Sequence, residues 1–509
     1  MNIRCFLGAL CIAIICGCHE DLAVIKRQCS SVNRLPAIKP DYAGIVLPPN
    51  IAPLNFAVTE AGRSCYAEVS SKFGKPIMIS GSGMSIRIPA APWKELLEKN
   101  KGELLHFTLY TCGKTGQWLR YTTIEDTIAV FPVDRYLTYR SMNFVYNYSL
   151  DLRIVERDLG SYRERLLLNT KNYSWGCCNC HTPRCNDPSG FVFQSRSARF
   201  GSAACIAIDG KITKINAKLG YPAWHPNGRI IAFSINKVQQ CFHSAGRSFV
   251  DFYDNNSDIA IYDIAQKKII LVPQLNQKQM LETWPNWSPD GRYLYFCSAP
   301  ILWTDFKKVP PDNFNKVKFS LFRILYNETD GSWGMVDTVL SSQETGLSIS
   351  QPRTSPDGRF ILFCMHEYGG YPNTQESSDL YLLECATKKY LRLDINSSQS
   401  ESWHGWSMNS RWIVFSSKRN GGKFTHVYFS FVDSAGNTHK PFIMPQEDPD
   451  YYDSYIKYYN FPEFATAPVA FSEREILKVV RSPEKIDVPV PDAPAAPSGH
   501  SEWEAPRAR

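Results

Sequence analysis

Hydrophobic and polar positions alternate in short runs along most of this chain, and one run repeats. Four segments align without a gap: YPAWHPNGRIIAFSIN from Tyr221, WPNWSPDGRYLYFCSA from Trp284, QPRTSPDGRFILFCMH from Gln351 and WHGWSMNSRWIVFSSK from Trp403. Their shared arginines, Arg229, Arg292, Arg359 and Arg411, recur 63, 67 and 52 residues apart, the length of one propeller blade plus insertions. Each unit reads as strand, tight turn, strand, because Ser-Pro-Asp-Gly supplies a fixed proline φ followed by turn-favouring residues. Asp290 and Asp357 are therefore expected in turns, and Cys297 and Cys364, at the position of Ser234 and Ser416, in packed interiors. Beyond the repeats, SDIAIYDIAQKKIIL from Ser257 and SDLYLLECATKKYLRL from Ser378 have the pattern of a blade's outer hairpin. A fifth unit follows from FVFQSRSARFGSAACIAIDGKITKI after residue 190, and a last from pairing the chain ends. The expectation is an all-β fold, a propeller of about six blades over 160–480, with its sheet edges removed by closure.

Upstream, 30–134 carries β signals such as PIMISGSGMSIRIP and LLHFTLYTC around a short helical piece from Trp93 to Lys99, which predicts a small β-sandwich-like N-terminal domain. The stretch 135–170 reads as a connector. Within it DLGSYRERLLLN is expected to be helical, since Tyr162, Leu166 and Leu167 share a helical face. The end, 482–509, is rich in Pro and Ala and is expected to be disordered.

The first seventeen residues carry Arg4 and then an apolar run from Cys5 to Cys16, the pattern of a signal peptide rather than a spanning helix. The run ends in Ile15-Cys16-Gly17-Cys18, which is similar to the lipoprotein cleavage box and makes Cys18 the expected lipidated residue. An ordinary secretory signal cleaved nearby is the alternative; either way export is expected. Formal net charge is +7 with no basic block, so no nucleic-acid partner is expected. At 44% hydrophobic and 13% aromatic, the chain can bury a large core.

Of 16 cysteines, four lie within the first eighteen residues. Five consecutive positions, Cys177-Cys178-Asn179-Cys180-His181, contain the Cys-x-x-Cys-His spacing of covalent haem c attachment. In that reading Cys177 and Cys180 form thioethers to the porphyrin, and His181 ligates the iron. Two other readings stay open: a zinc or iron–sulfur thiolate site drawn from Cys177, Cys178, Cys180, His181 and Cys185, and structural disulfides, for instance Cys178 with Cys185. For a second iron ligand the candidate is His225, which replaces the turn serines Ser288, Ser355 and Ser407 of the other repeats. The alternative is an imidazole that hydrogen-bonds turn backbone as serine does. His243, His404 and Met365 are weaker rivals.

No Gly-x-Ser-x-Gly, His-Glu-x-x-His or Gly-x-x-x-x-Gly-Lys occurs in the sequence, so familiar hydrolase, metalloprotease and phosphate-loop chemistries lack a signature. The repeat resembles the TolB-type propeller, whose blades carry the Trp-Ser-Pro-Asp-Gly turn. Nearly the whole mature chain is similar to a family of bacterial lipoproteins that join a small N-terminal β domain to such a propeller with a Cys-x-Asn-Cys-His element at its start. The stretches that carry this are PDYAGIVLPPNIAPLNF, VDRYLTYR, CCNCH, YPAWHPNGRIIAFSIN, KPFIMPQEDPDYYD and NFPEF. The chain departs from that family at Cys178, at Cys185 and in the fourth turn. The resemblance implies a lipid-anchored protein of the bacterial cell envelope, facing the periplasm or the cell surface. Two functions follow. One is a haem c protein in electron transfer or sensing, with a redox partner; the other is a propeller binding module for a protein, peptide or glycan, with the cysteines structural.

Overall fold

The computed structural model describes residues 22–143, 151–243 and 250–488; Cys18 and the signal segment lie outside them. Six four-stranded antiparallel sheets follow one another around a ring. The innermost strands are Cys177–Arg184, Gly220–Trp224, Met280–Trp287, Ser348–Thr354, Glu401–Trp406 and Lys457–Ala465. The protein is an all-β, six-bladed propeller.

The turns form as the repeat chemistry requires. In the third repeat Ser355 Oγ donates to Asp357 at 2.6 Å and accepts from Phe360 N–H at 3.0 Å, and Asp357 accepts from Arg359 N–H at 3.1 Å. Gly358 supplies the left-handed residue at φ 72°. The fourth repeat lacks Pro-Asp-Gly, yet Asn409 takes the Asp role, accepting from Ser407 Oγ at 2.7 Å and Arg411 N–H at 3.0 Å, with Ser410 at φ 58° in place of Gly.

The closing blade joins the two ends of the propeller chain. Lys457–Ala465 pairs with Tyr136–Asn143, in register Leu137 to Phe464 and Asn143 to Lys457, and Arg153–Asp158 and Glu164–Asn169 complete the sheet. Three of this blade's strands thus come from the stretch read as a 135–170 connector, and the propeller begins at Tyr136 rather than 160. The expected helix is absent there because Asp158 nucleates a hairpin turn, accepting from Gly160 N–H at 3.1 Å and Ser161 Oγ at 2.9 Å. Leu167 and Leu168 then go into the core from a strand.

The N-terminal part packs a three-stranded and a seven-stranded sheet with the helix Ala90–Lys99, which buries Trp93, Leu96 and Leu97. Its core is continuous with that of the fourth, fifth and closing blades. After the closing strand, the helix Glu473–Arg481 is capped reciprocally by Ser472 and Glu475. The chain does not loosen at 482: Ile486 bridges to Ile215, and Val488 is buried. Residues 489–509 lie outside the described ones.

Candidate functional site

Each innermost strand carries one residue in the left-handed region: Cys180 (φ 48°), Tyr221 (46°), Trp284 (52°), Gln351 (56°), Trp403 (46°) and Phe461 (53°). Such a conformation costs a non-glycine residue roughly 1–3 kcal/mol and persists where the surroundings hold it. The pairing register slips at each of these places, so each is a bulge that re-aims its side chain. The following residues are His181, Pro222, Pro285, Pro352, His404 and Pro462. Cys180-His181 is thus the propeller's own repeat pair, in register with Tyr-Pro, Trp-Pro, Gln-Pro, Trp-His and Phe-Pro.

These twelve residues, with Thr182, Arg353 and Glu463, line a narrow central channel that is partly open to solvent. One wall is aromatic: Trp403 and Phe461 lie 3.8 Å apart between ring centroids, and Tyr221 stacks on both at 6.4 Å. The polar wall is sparse. Arg353 pairs with Glu463, whose side chain is only 10% exposed; burial raises that carboxyl, and Arg353 partly offsets the rise. Burial pushes His181 down to about 3, helped by Arg140 and Arg353 and opposed by the backbone of Thr138 and Phe461 beside its ring. His404 is also pushed to about 3, by burial and then Arg353. Its Nε2–H donates to the Leu362 carbonyl at 3.0 Å. Both imidazoles are neutral at physiological pH.

The residues do not fit haem c. Cys177 lies in the apolar core with Tyr173 and Phe191, whereas Cys180 lines the channel, so the two sulfurs open onto different spaces while the strand stays paired. That pairing is close, with Cys177 opposite Arg196, Cys178 opposite Ser195 and Asn179 opposite Gln194. Cys177, Cys180 and His181 are 5%, 6% and 1% exposed, which leaves no cleft for a porphyrin. Burial lifts Cys178 to about 12 and Cys180 to about 11, so both are protonated thiols in this structure. Among the described residues no three His, Cys, Asp or Glu side chains group as a metal set. Cys178 and Cys185 cannot pair either: the intervening strand separates them by roughly 20 Å, against the about 7 Å a disulfide allows between Cα atoms.

His225 is also accounted for without a metal. Its Nδ1 accepts from Asn227 N–H at 3.2 Å and its Nε2–H donates to the Gly291 carbonyl at 3.0 Å. Trp287 meets its ring edge-on at 4.6 Å. Of the rivals, His243 pairs with Asp251 at 2.9 Å, Met365 is buried in the core between blades, and His404 alone shares the channel with His181. Sequence reasoning missed Arg353, Glu463 and the aromatic ring, although Tyr221, Trp284, Gln351 and Trp403 are the residues at which the four repeats begin.

No family model matches the chain, and no curated protein is similar to it. Solved structures similar to it include oligogalacturonate lyase from Vibrio parahaemolyticus, at 12% identity over 74% of this chain and 100% of that one, TM-score 0.34. A chain of a nidogen/laminin complex matches at 11% over 64% and 96%, TM-score 0.36. The tricorn protease matches at 14% over 67% and 34%, TM-score 0.34. At these values the likeness says nothing about activity.

Proposed function

We propose that this protein is an exported, lipid-anchored binding module of the bacterial cell envelope whose propeller channel takes a peptide segment of a protein partner, with the Cys177–His181 strand structural. The observation that carries this is the ring of six left-handed residues that aims Tyr221, Trp284, Trp403 and Phe461 into one channel beside the Arg353–Glu463 pair. Aromatic and arginine side chains in a concave, mostly apolar setting are the residue types that anchor protein contacts. The shortage of free polar groups favours an apolar peptide side chain over a glycan, whose hydroxyls would be left without partners. The apolar run before Cys18, and the resemblance to TolB-type lipoproteins, support export and anchoring.

Peptides selected from a displayed random library against the full chain test the channel. Those that bind should weaken at least tenfold on Trp403→Phe and Arg353→Gln, and equal affinity for all three proteins would sink the reading. Anchoring is tested separately: Cys18→Ser should move the protein from the membrane fraction to the soluble one.

A further inference from the structure

A second cavity, partly open to solvent and with room for a group about the size of one water, shares Trp284 with the channel and is otherwise lined by Tyr253, Asp254, Phe319, Gly369, Gly370 and Tyr371. Segments of three different blades build it. Asp254 comes from the long hairpin Ile230–Phe242 and Val250–Asp263, Phe319 from the segment before Ser320–Asn327, and the glycines from the loop after Phe360–His366. The glycines are required: a Cβ on Gly369 would lie 2.7 Å from the Phe319 ring, and one on Gly370 would lie 3.0 Å from the Phe252 carbonyl. Trp284 and Phe319 meet edge to face at 5.3 Å, and four of the seven lining residues are aromatic.

Into this box goes one carboxylate. Asp254 is 7% exposed, and its Oδ2 accepts from Asn236 Nδ2 at 2.9 Å, while Oδ1 has no partner. No Lys, Arg or His among the described residues pairs with it. A buried carboxylate oxygen without a donor is costly, and aromatic faces attract a cation. Burial has raised Asp254 to about 7, against a lowering by the Asn236 hydrogen bond.

We propose that this cavity is a binding site for an aliphatic ammonium group, with Asp254 Oδ1 as its ionic partner and Trp284, Phe319 and Tyr371 as its aromatic walls. Ammonium is favoured over guanidinium because a planar guanidinium seeks both carboxylate oxygens side by side, and Asn236 already occupies Oδ2. A lysine side chain and a free alkylamine share this chemistry. The two sites share Trp284, but this inference can fail independently of the peptide reading of the channel, because it rests on Asp254 and not on Arg353 or Trp403.

Calorimetric titration of the full chain with butylammonium, with N-acetyl-lysine-N-methylamide and with its neutral isostere N-acetyl-norleucine-N-methylamide tests it. At least one ammonium compound should bind tenfold or more tighter than the neutral isostere. Binding by the blocked lysine alone would make the source a polypeptide, and binding by butylammonium alone a free amine. Asp254→Asn should erase the preference, whereas Arg353→Gln should leave it intact. Equal affinity for charged and neutral probes in the wild-type protein, or a preference that survives Asp254→Asn, would overturn the proposal. Should Asp254→Asn not fold, the wild-type comparison alone decides.

Discussion

His225 donates from Nε2–H to the carbonyl oxygen of Gly291 at 3.0 Å, tying the turn of one blade to the turn of the next. A serine at this position, as in the following three repeats, makes the turn bonds within its own blade but does not reach its neighbour. His225→Ala should therefore lose the turn acceptor, the link between blades and the contact with Trp287, a destabilisation of about 2–3 kcal/mol. His225→Ser should restore the turn acceptor and lose about 1 kcal/mol. Denaturant titration separates the two, and equal losses would show that the inter-blade bond dominates.

The cysteine strand makes a second prediction. Protein expressed in a host with a cytochrome c maturation system should show no haem absorption, and its intact mass should be that of the polypeptide without haem. Cys177→Ser and Cys180→Ser should act as core substitutions, each placing a hydroxyl where a thiol was buried, at a cost of about 1–3 kcal/mol. A Soret band that disappears in either variant would reverse this reading.

How much of the fold and of the channel was legible in the sequence can be traced to particular residues. The innermost strands that run into a Ser-Pro-Asp-Gly turn or its variants, His-Pro-Asn-Gly and Ser-Met-Asn-Ser, announce two paired strands locally, so Tyr221, Trp284, Gln351 and Trp403 could be aligned from sequence. The other two members of the ring, Cys180 and Phe461, belong to strands without that turn; Phe461 has its sheet partner over three hundred residues earlier, in Tyr136–Asn143. Local pattern carries no such long-range pairing. With Cys180 outside the alignment, its proximity to Cys177 and His181 read as cofactor chemistry rather than as one more bulge. Arg353 and Glu463 were invisible for the same reason: their pairing exists only once the ring has closed.

Glu282 provides a pH signature. It is 2% exposed, its Oε2 has no partner, and burial raises it to about 8 against an ordinary 4.5. The folded state therefore holds its proton more tightly than the unfolded chain does. Its contribution to stability is fully present below pH 4.5 and is lost as pH rises from there through about 8. Glu282→Gln should flatten this part of the curve and make the protein more stable than wild type at pH 9, by roughly a few kcal/mol. Parallel stability profiles for the two proteins would refute the assignment.

The Arg353–Glu463 pair allows stability and binding to be separated. Arg353 is 29% exposed and Glu463 10%, so removing the arginine strands a buried carboxylate, whereas removing both leaves no charge to desolvate. Arg353→Gln should cost about 2–3 kcal/mol, less than a fully buried pair because water still reaches the guanidinium. The double variant Arg353→Gln with Glu463→Gln should recover most of that loss. Peptide affinity, if the guanidinium orients a ligand in the channel, should stay low in both proteins. Recovery of affinity together with stability would mean that Arg353 serves the fold alone, and that the aromatic residues Tyr221, Trp284, Trp403 and Phe461 are the whole of the recognition surface.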